Sequence, residues 1–387
     1  MFLKILKVLI ISSIFLYHSL AFSKTVENKN FNHRYLSNYF SALVSHKNGD
    51  NNSAIKYFGK TKSILRDYPN YFDQYIKSLV LSGNISEAIN QIKFFKSKNK
   101  VDNFQTTLLL IVDGFKKNNF KQIDNQLTNM NRVLIPSTYE QVIFQILKSY
   151  NDLFLTKKIS EIENYGQLSK ILLAFQYCYL DNEETNKYFA DLINVDGVDY
   201  SRYLFFYLSN LINNKEFELV KKISLKIEPI ASTLLILQSK SWIDQSKFEN
   251  FSKIFSCKSE NDILAEIFFL LANLYSSQED YEASNFYLNI SNYLNPKFKF
   301  NLSLVAENFY LNEEFNKVKK ILNNFNKDDE FYYWFKVKTE TKIIIEKNNY
   351  ERGIKYLESK FEKIKEPNIK MKFDLANFYK NAKNYKK

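Results

Sequence analysis

Residues Ala265–Pro296 read AEIFFLLANLYSSQEDYEASNFYLNISNYLNP. Apolar residues recur at helical spacing on both sides of Gln278–Asp280, which reads as a tight turn. Pro296 follows the second run and stops it. The stretch therefore predicts two short amphipathic helices folded back on each other. Such a hairpin cannot bury its apolar faces alone, so it needs neighbours of the same kind.

The neighbours are present along most of the chain. From His33, Leu36, Tyr39, Phe40, Leu43 and Val44 form a first helical stripe, Asn48-Gly49-Asp50 a turn, and Ala54, Tyr57, Phe58 and Ile64 a second stripe that Tyr68-Pro69-Asn70 ends. The next copy turns at Ser82-Gly83-Asn84 and the third at Asn118-Asn119. Between Pro136 and Gly166 the pattern blurs. Thr138–Leu155 reads as a helix, and Ile159–Tyr165 as a short partner. Leu168–Leu180 and Thr185–Ile193 form another pair around Asp181–Glu183. Later turns are expected near Lys215, Ser246, Glu279, Glu313 and Asn348. An aromatic follows most of them: Phe217, Phe248, Tyr281, Phe315, Tyr350 and, at the end, Tyr385. The spacing stays near 34 residues, the signature of stacked two-helix repeats.

Composition agrees with a helical stack. Of 387 residues only 7 are Gly and 5 Pro, too few for the turns of an all-β fold, while 45% are hydrophobic and 17% aromatic. Global disorder is excluded by that apolar content. The formal net charge is +12, and residues 336–387 carry 15 Lys/Arg against 7 Asp/Glu. Basicity is thus gathered at the C-terminal end, where it would suit an anionic membrane surface or simply form a solvated helix face.

Met1–Ser23 has the parts of a secretory signal: Lys4 and Lys7, an apolar run from Val8 to Tyr17, and Ala21-Phe22-Ser23 before Lys24. The run is short against the about 20 apolar residues of a membrane span. An uncleaved leader would leave the protein membrane-associated. Residues 24–34 read as a flexible lead-in and 35–387 as the repeat array. Cys178 and Cys257 could pair in an exported protein, but their placement in different hairpins favours two buried, unpaired small hydrophobes.

The hairpins resemble the tetratricopeptide repeat (TPR). That motif alternates aromatic or large apolar residues with small ones in a fixed order. Ala265–Pro296 supplies Phe268, Leu271, Ala272, Tyr275, Glu279, Tyr281, Ser284, Leu288, Ser291 and Pro296 in that order. The next copy supplies Leu302, Val305, Ala306, Phe309, Phe315, Val318 and Leu322. Thr341, Lys360 and Glu340 depart from it and predict a looser copy. The resemblance implies an all-α, right-handed α-solenoid of stacked antiparallel hairpins, with about ten repeats. It also implies protein–protein binding. With the leader, the layout is similar to exported, periplasmic TPR proteins of Gram-negative bacteria.

In such solenoids the first helix of each hairpin lines a groove. Carried over, its groove positions are Phe269, Asn273, Ser303, Glu307, Lys338, Lys342, Phe373 and Asn377. The family's clamp for acidic chaperone tails needs Lys followed one turn later by Asn on one helix, and no copy here has that pair. The expected partners are envelope proteins or peptide segments of them. The last copy asks for another helix after Tyr385, so a longer parent protein or a covering partner is expected at that end.

Nothing in the sequence points to catalysis. His18 lies in the leader, and His33 and His46 have no metal-ligand spacing. No Gly-rich phosphate loop, nucleophilic Ser elbow or Cys/His pair occurs. Glu183-Glu184, Glu313-Glu314 and Asp328-Asp329-Glu330 fall at turns, where carboxylates stay solvated. The 27 Tyr and 35 Phe sit mostly at core spacing rather than as stacking platforms for bases. No cofactor, metal or nucleic acid is expected. Two alternatives remain: a helical accessory portion of a cell-wall enzyme whose catalytic domain lies beyond residue 387, and a membrane-surface protein held by its basic end.

Overall fold

The computed structural model describes residues 33–61, 69–96, 103–134, 139–194, 201–347 and 349–381. The leader, Asn348 and Tyr385 lie outside them. Among the described residues there are twenty α-helices and no strand. Two compact units divide the chain, residues 1–65 and 66–387. The first holds the hairpin of α1 (His33–Lys47) and α2 (Asn51–Gly59), which buries Ala42, Ala54 and Phe58.

The second unit is a TPR-like α-solenoid of antiparallel pairs. Its helices are α3 (Pro69–Leu81), α4 (Ile85–Lys96), α5 (Phe104–Lys116), α6 (Phe120–Val133), α7 (Tyr139–Thr156), α8 (Gln167–Leu180), α9 (Thr185–Ile193) and α10 (Ser201–Asn213). They continue as α11 (Phe217–Ser224), α12 (Leu234–Asp244), α13 (Glu249–Ile254), α14 (Glu260–Ser277), α15 (Tyr281–Leu294) and α16 (Phe300–Leu311). The last are α17 (Phe315–Leu322), α18 (Glu330–Glu346), α19 (Tyr350–Phe361) and α20 (Ile369–Asn381).

One device makes the turns. Glu279 has φ 63°, in the left-handed region. Its N–H donates to Ser276 O, and the N–H of Asp280 donates to Tyr275 O, the paired bonds of a Schellman cap. Asp280 then caps α15 by accepting from the Ala283 N–H at 3.0 Å. The C-cap of one helix is thus fused to the N-cap of the next. The same bond pair recurs at Gly49, Gly83, Asn118, Asp181, Lys215, Ser246 and Glu313, all at positive φ. Most of these residues are not Gly and bear the steric cost of that conformation.

Within α14–α15, Ala272 and Ser284 are fully buried, which lets the two helices approach. Phe268, Leu271 and Leu288 fill the space around them. Both buried serine hydroxyls of this hairpin are engaged. Ser291 donates to Ala265 O at 2.6 Å, and Asn308 of α16 donates to Ser284 Oγ at 2.8 Å. A polar rung therefore joins consecutive hairpins inside an apolar stack.

Pro69 opens α3, a position where the missing N–H costs nothing; residues 62–68, where the first hairpin is expected to end, lie outside the described ones. Two expectations are corrected. Ile159–Tyr165 forms no helix. Lys157 turns left-handed at φ 54°, and the segment runs irregularly, tied by Ser160 N–H to Gln176 Oε1 and by Tyr165 N–H to Ser169 Oγ. Its seven residues, ISEIENY, are mostly Ser, Glu and Asn and offer too narrow an apolar face to bury, and Ile159 is exposed. Finally, Cys178 and Cys257 are joined in a disulfide. The curvature of the stack brings the end of α8 against the loop before α14, across 79 residues. Closing a loop of that length is worth about 4.5 kcal/mol in the chain-entropy model.

The divergent copy at α18–α19 satisfies two of its three polar departures. Thr341 is fully buried and donates to Val337 O, and Glu340 accepts from the Tyr356 hydroxyl.

The turn device is testable by substitution. Glu279→Gly and Lys215→Gly should each raise stability by roughly 0.5–1 kcal/mol, because Gly adopts positive φ without the Cβ penalty. Gly83→Ala should lower it by about 1 kcal/mol through the backbone alone, since no atom lies within 4 Å of the added Cβ. Urea denaturation of the three variants checks the signs.

Candidate cleft on the inner face of the second half

The hairpin α14–α15 is held from two sides. On one side stand the first helices of the N-terminal copies. Lys77 of α3 pairs with Glu282. Asn289 donates to Leu81 O at 3.4 Å. Lys116 of α5 donates to Tyr293 O and Leu294 O at 3.0 and 2.9 Å, so a cation sits on the C-terminus of α15, where the helix dipole is negative. Burial lowers the pKa of that Lys116 ammonium, against the pull of Asp262. Counted back from its turn residue, Lys77 stands in α3 where Asn273 stands in α14. Positions that would face a ligand in an open solenoid thus hold a helix of the same chain.

On the other side stands Arg202 of α10. Its guanidinium donates to both carboxylate oxygens of Glu266 at 2.7 and 2.5 Å, and to Asn301 Oδ1 at 3.0 Å. The side chain of Glu266 is 0% exposed and that of Arg202 12%. Full burial raises the Glu266 pKa, opposed by Arg202. The guanidinium carbon lies 3.6 Å from the Phe269 ring centre and 4.8 and 5.0 Å from those of Phe298 and Phe300. Arg202 Nη1 has no hydrogen-bond partner among the described residues. The surrounding aromatic faces are its compensation for lost water.

Next to this cage the first helices α14, α16, α18 and α20 follow one another and line a cleft of about 370 Å³. The segment opening α12, with Ser232, Thr233, Leu234 and Leu237, forms the opposite side. Phe300, Phe331, Trp334 and Phe335 give it aromatic walls.

Five of the eight groove residues read from the sequence meet in this cleft: Phe269, Asn273, Ser303, Glu307 and Lys338. Phe269 is a buried wall rather than a free contact. Ser303 is buried, its hydroxyl donating to Phe300 O at 2.7 Å. Asn273 and Glu307 stand exposed on the rim. Lys338 is committed to Asp374 at 2.8 Å. The remaining three do not line it. Lys342 is exposed, with its ammonium 5.8 Å from the Tyr310 ring centre. Phe373 is 40% exposed on α20, and Asn377 is exposed beside it.

Sequence reasoning missed Asp374, which is buried and also accepts from the Trp334 indole N–H at 3.0 Å. A Lys and an Asp on successive first helices were the available signal. It missed Arg202 and the α12 residues as well, and no repeat-based signal could have found them. Among the described residues no group of His, Cys, Asp and Glu could hold a metal ion.

No protein-family model and no curated protein matches the sequence. Among solved structures, the chain is similar to the TPR domain of P58(IPK), at 13% identity, TM-score 0.24, over 91% of this chain and 99% of that one. It is also similar to yeast Tom70, at 10% identity, TM-score 0.26, over 91% of this chain and 85% of that one. The fold assignment rests on the helix order and packing above rather than on these likenesses.

The Arg202–Glu266 pair should be expensive to break and cheap to replace. Arg202→Met alone should cost roughly 3–5 kcal/mol, because it strands a buried carboxylate, whereas Arg202→Met with Glu266→Leu should recover most of that loss. Chemical denaturation of the single and double variants measures both.

Proposed function

We propose that the protein is an exported, non-catalytic scaffold that binds segments of envelope proteins in the cleft between α12, α14, α16, α18 and α20. The observation that carries this reading is the convergence of Phe269, Asn273, Ser303, Glu307 and Lys338 on one aromatic-walled cavity. A cavity of that size, mostly apolar with a few polar groups on its rim, suits one or two side chains of an extended peptide. The inner faces of α3 and α5 hold α15, whereas the cleft stays open to a partner.

Export is supported by the leader and by the Cys178–Cys257 disulfide, a bond that persists in oxidising compartments. Among the described residues no helix is long and apolar enough to cross a membrane.

Cell fractionation tests the export. The full chain should reach the periplasm with residues 1–23 removed and both cysteines resistant to alkylation. A chain lacking those residues should stay in the cytoplasm with both thiols labelled. Cytoplasmic retention of the full chain, with free thiols, would contradict the reading. In-cell crosslinking should then recover an envelope protein with the exported form.

A further inference from the structure

The ionisable groups of the cleft are unequally committed. Lys338 and the Trp334 indole both donate to Asp374. Lys370 donates to the Ile230 backbone carbonyl across the cleft. Both cations on the lining are therefore already engaged. Glu307 is different. Among the described residues no hydrogen bond or ion pair reaches its carboxylate, and the neighbouring rim amide of Asn273 is likewise unengaged.

The charged groups around Glu307 act only from a distance. Lys342 and Lys338 favour its ionised form. Desolvation by the cleft walls outweighs them and raises its pKa. The carboxylate is nonetheless exposed on the rim, so an arriving cation can reach it and form a charge-assisted hydrogen bond with it. The aromatic faces of Phe300, Phe331 and Phe335 beside it suit an apolar side chain or the stem of a long cationic one.

We infer that the cleft takes an extended partner segment in which a lysine or arginine adjoins an apolar side chain, the cation resting on Glu307 and the apolar group on the aromatic wall. This rests on the cleft being the binding site, as proposed above. An acidic tail fits poorly, because neither lining lysine can receive it without giving up its present partner. Lys342, exposed next to Glu307, competes with the incoming cation.

Panning a phage-displayed random heptapeptide library on the full mature chain tests this. Enriched peptides should carry Lys or Arg next to Phe, Tyr, Trp or Leu. By fluorescence anisotropy, Glu307→Gln should weaken a selected peptide by about two- to fivefold, the loss of a partner at an exposed position. Lys342→Gln should strengthen it severalfold. Replacing the peptide's base with Gln should weaken binding to the parent chain and hardly alter binding to the Glu307→Gln chain. Among the described residues Glu307 makes no hydrogen bond or ion pair, so the variant should keep the parent's unfolding midpoint. Enrichment of acidic or charge-indifferent peptides that are displaced by Asn273→Arg would overturn the cation preference and leave the scaffold reading intact. Failure to enrich any peptide sensitive to Asn273→Arg would overturn both.

Discussion

The left-handed residue at the described reversals is the constraint from which the rest of the second unit follows. Once Glu279 takes positive φ, the Schellman bonds end α14, and Asp280 starts α15 without a loop between them. A turn that short leaves the two helices no choice but antiparallel contact. Contact in turn requires small residues at the crossing, which Ala272 and Ser284 provide. Repeating the device gives a stack of hairpins with few glycines, in which the non-Gly reversals carry a local strain that the packing offsets.

Stacking alone would give an open groove, and this chain does not keep one throughout. The curvature brings distant copies together. The disulfide between Cys178 and Cys257, the Arg202–Glu266 pair and the clasp of Lys77 and Lys116 on α15 all join residues well over one repeat apart. The aromatic rings of Phe205, Phe206, Phe255 and Phe298 fill the space between them. The hairpin Ala265–Pro296 lies at the meeting point: its outer helix is gripped by the N-terminal copies and its inner helix by Arg202. Beyond it the inner face opens into the cleft.

What the sequence revealed and what it hid follow from the range of the interactions. Hairpins, turns and helix phase are local, so Glu279, Phe315 and the groove register of Asn273 and Glu307 could be read directly. The missing helix after Lys157 was only half visible, as a polar stretch with few apolar residues. The disulfide, the Arg202 cage and the α12 side of the cleft depend on the pitch of the whole stack. A small change in rotation per repeat, summed over two or three repeats, decides whether Cys178 meets Cys257. No periodicity in the sequence carries that angle. For the same reason Lys338 was readable as a groove residue, while its engagement by Asp374 was not.

The central claim is that partner contact is confined to the inner face of the second half. Site-specific photo-crosslinking in the native cell tests it most directly. A photoreactive residue at position 273, on the cleft rim, should form an adduct with a partner protein. The same residue at Lys319, exposed on the outer helix α17, should form none. Adducts from position 319 with none from position 273 would contradict the account and place the binding surface on the outside of the stack.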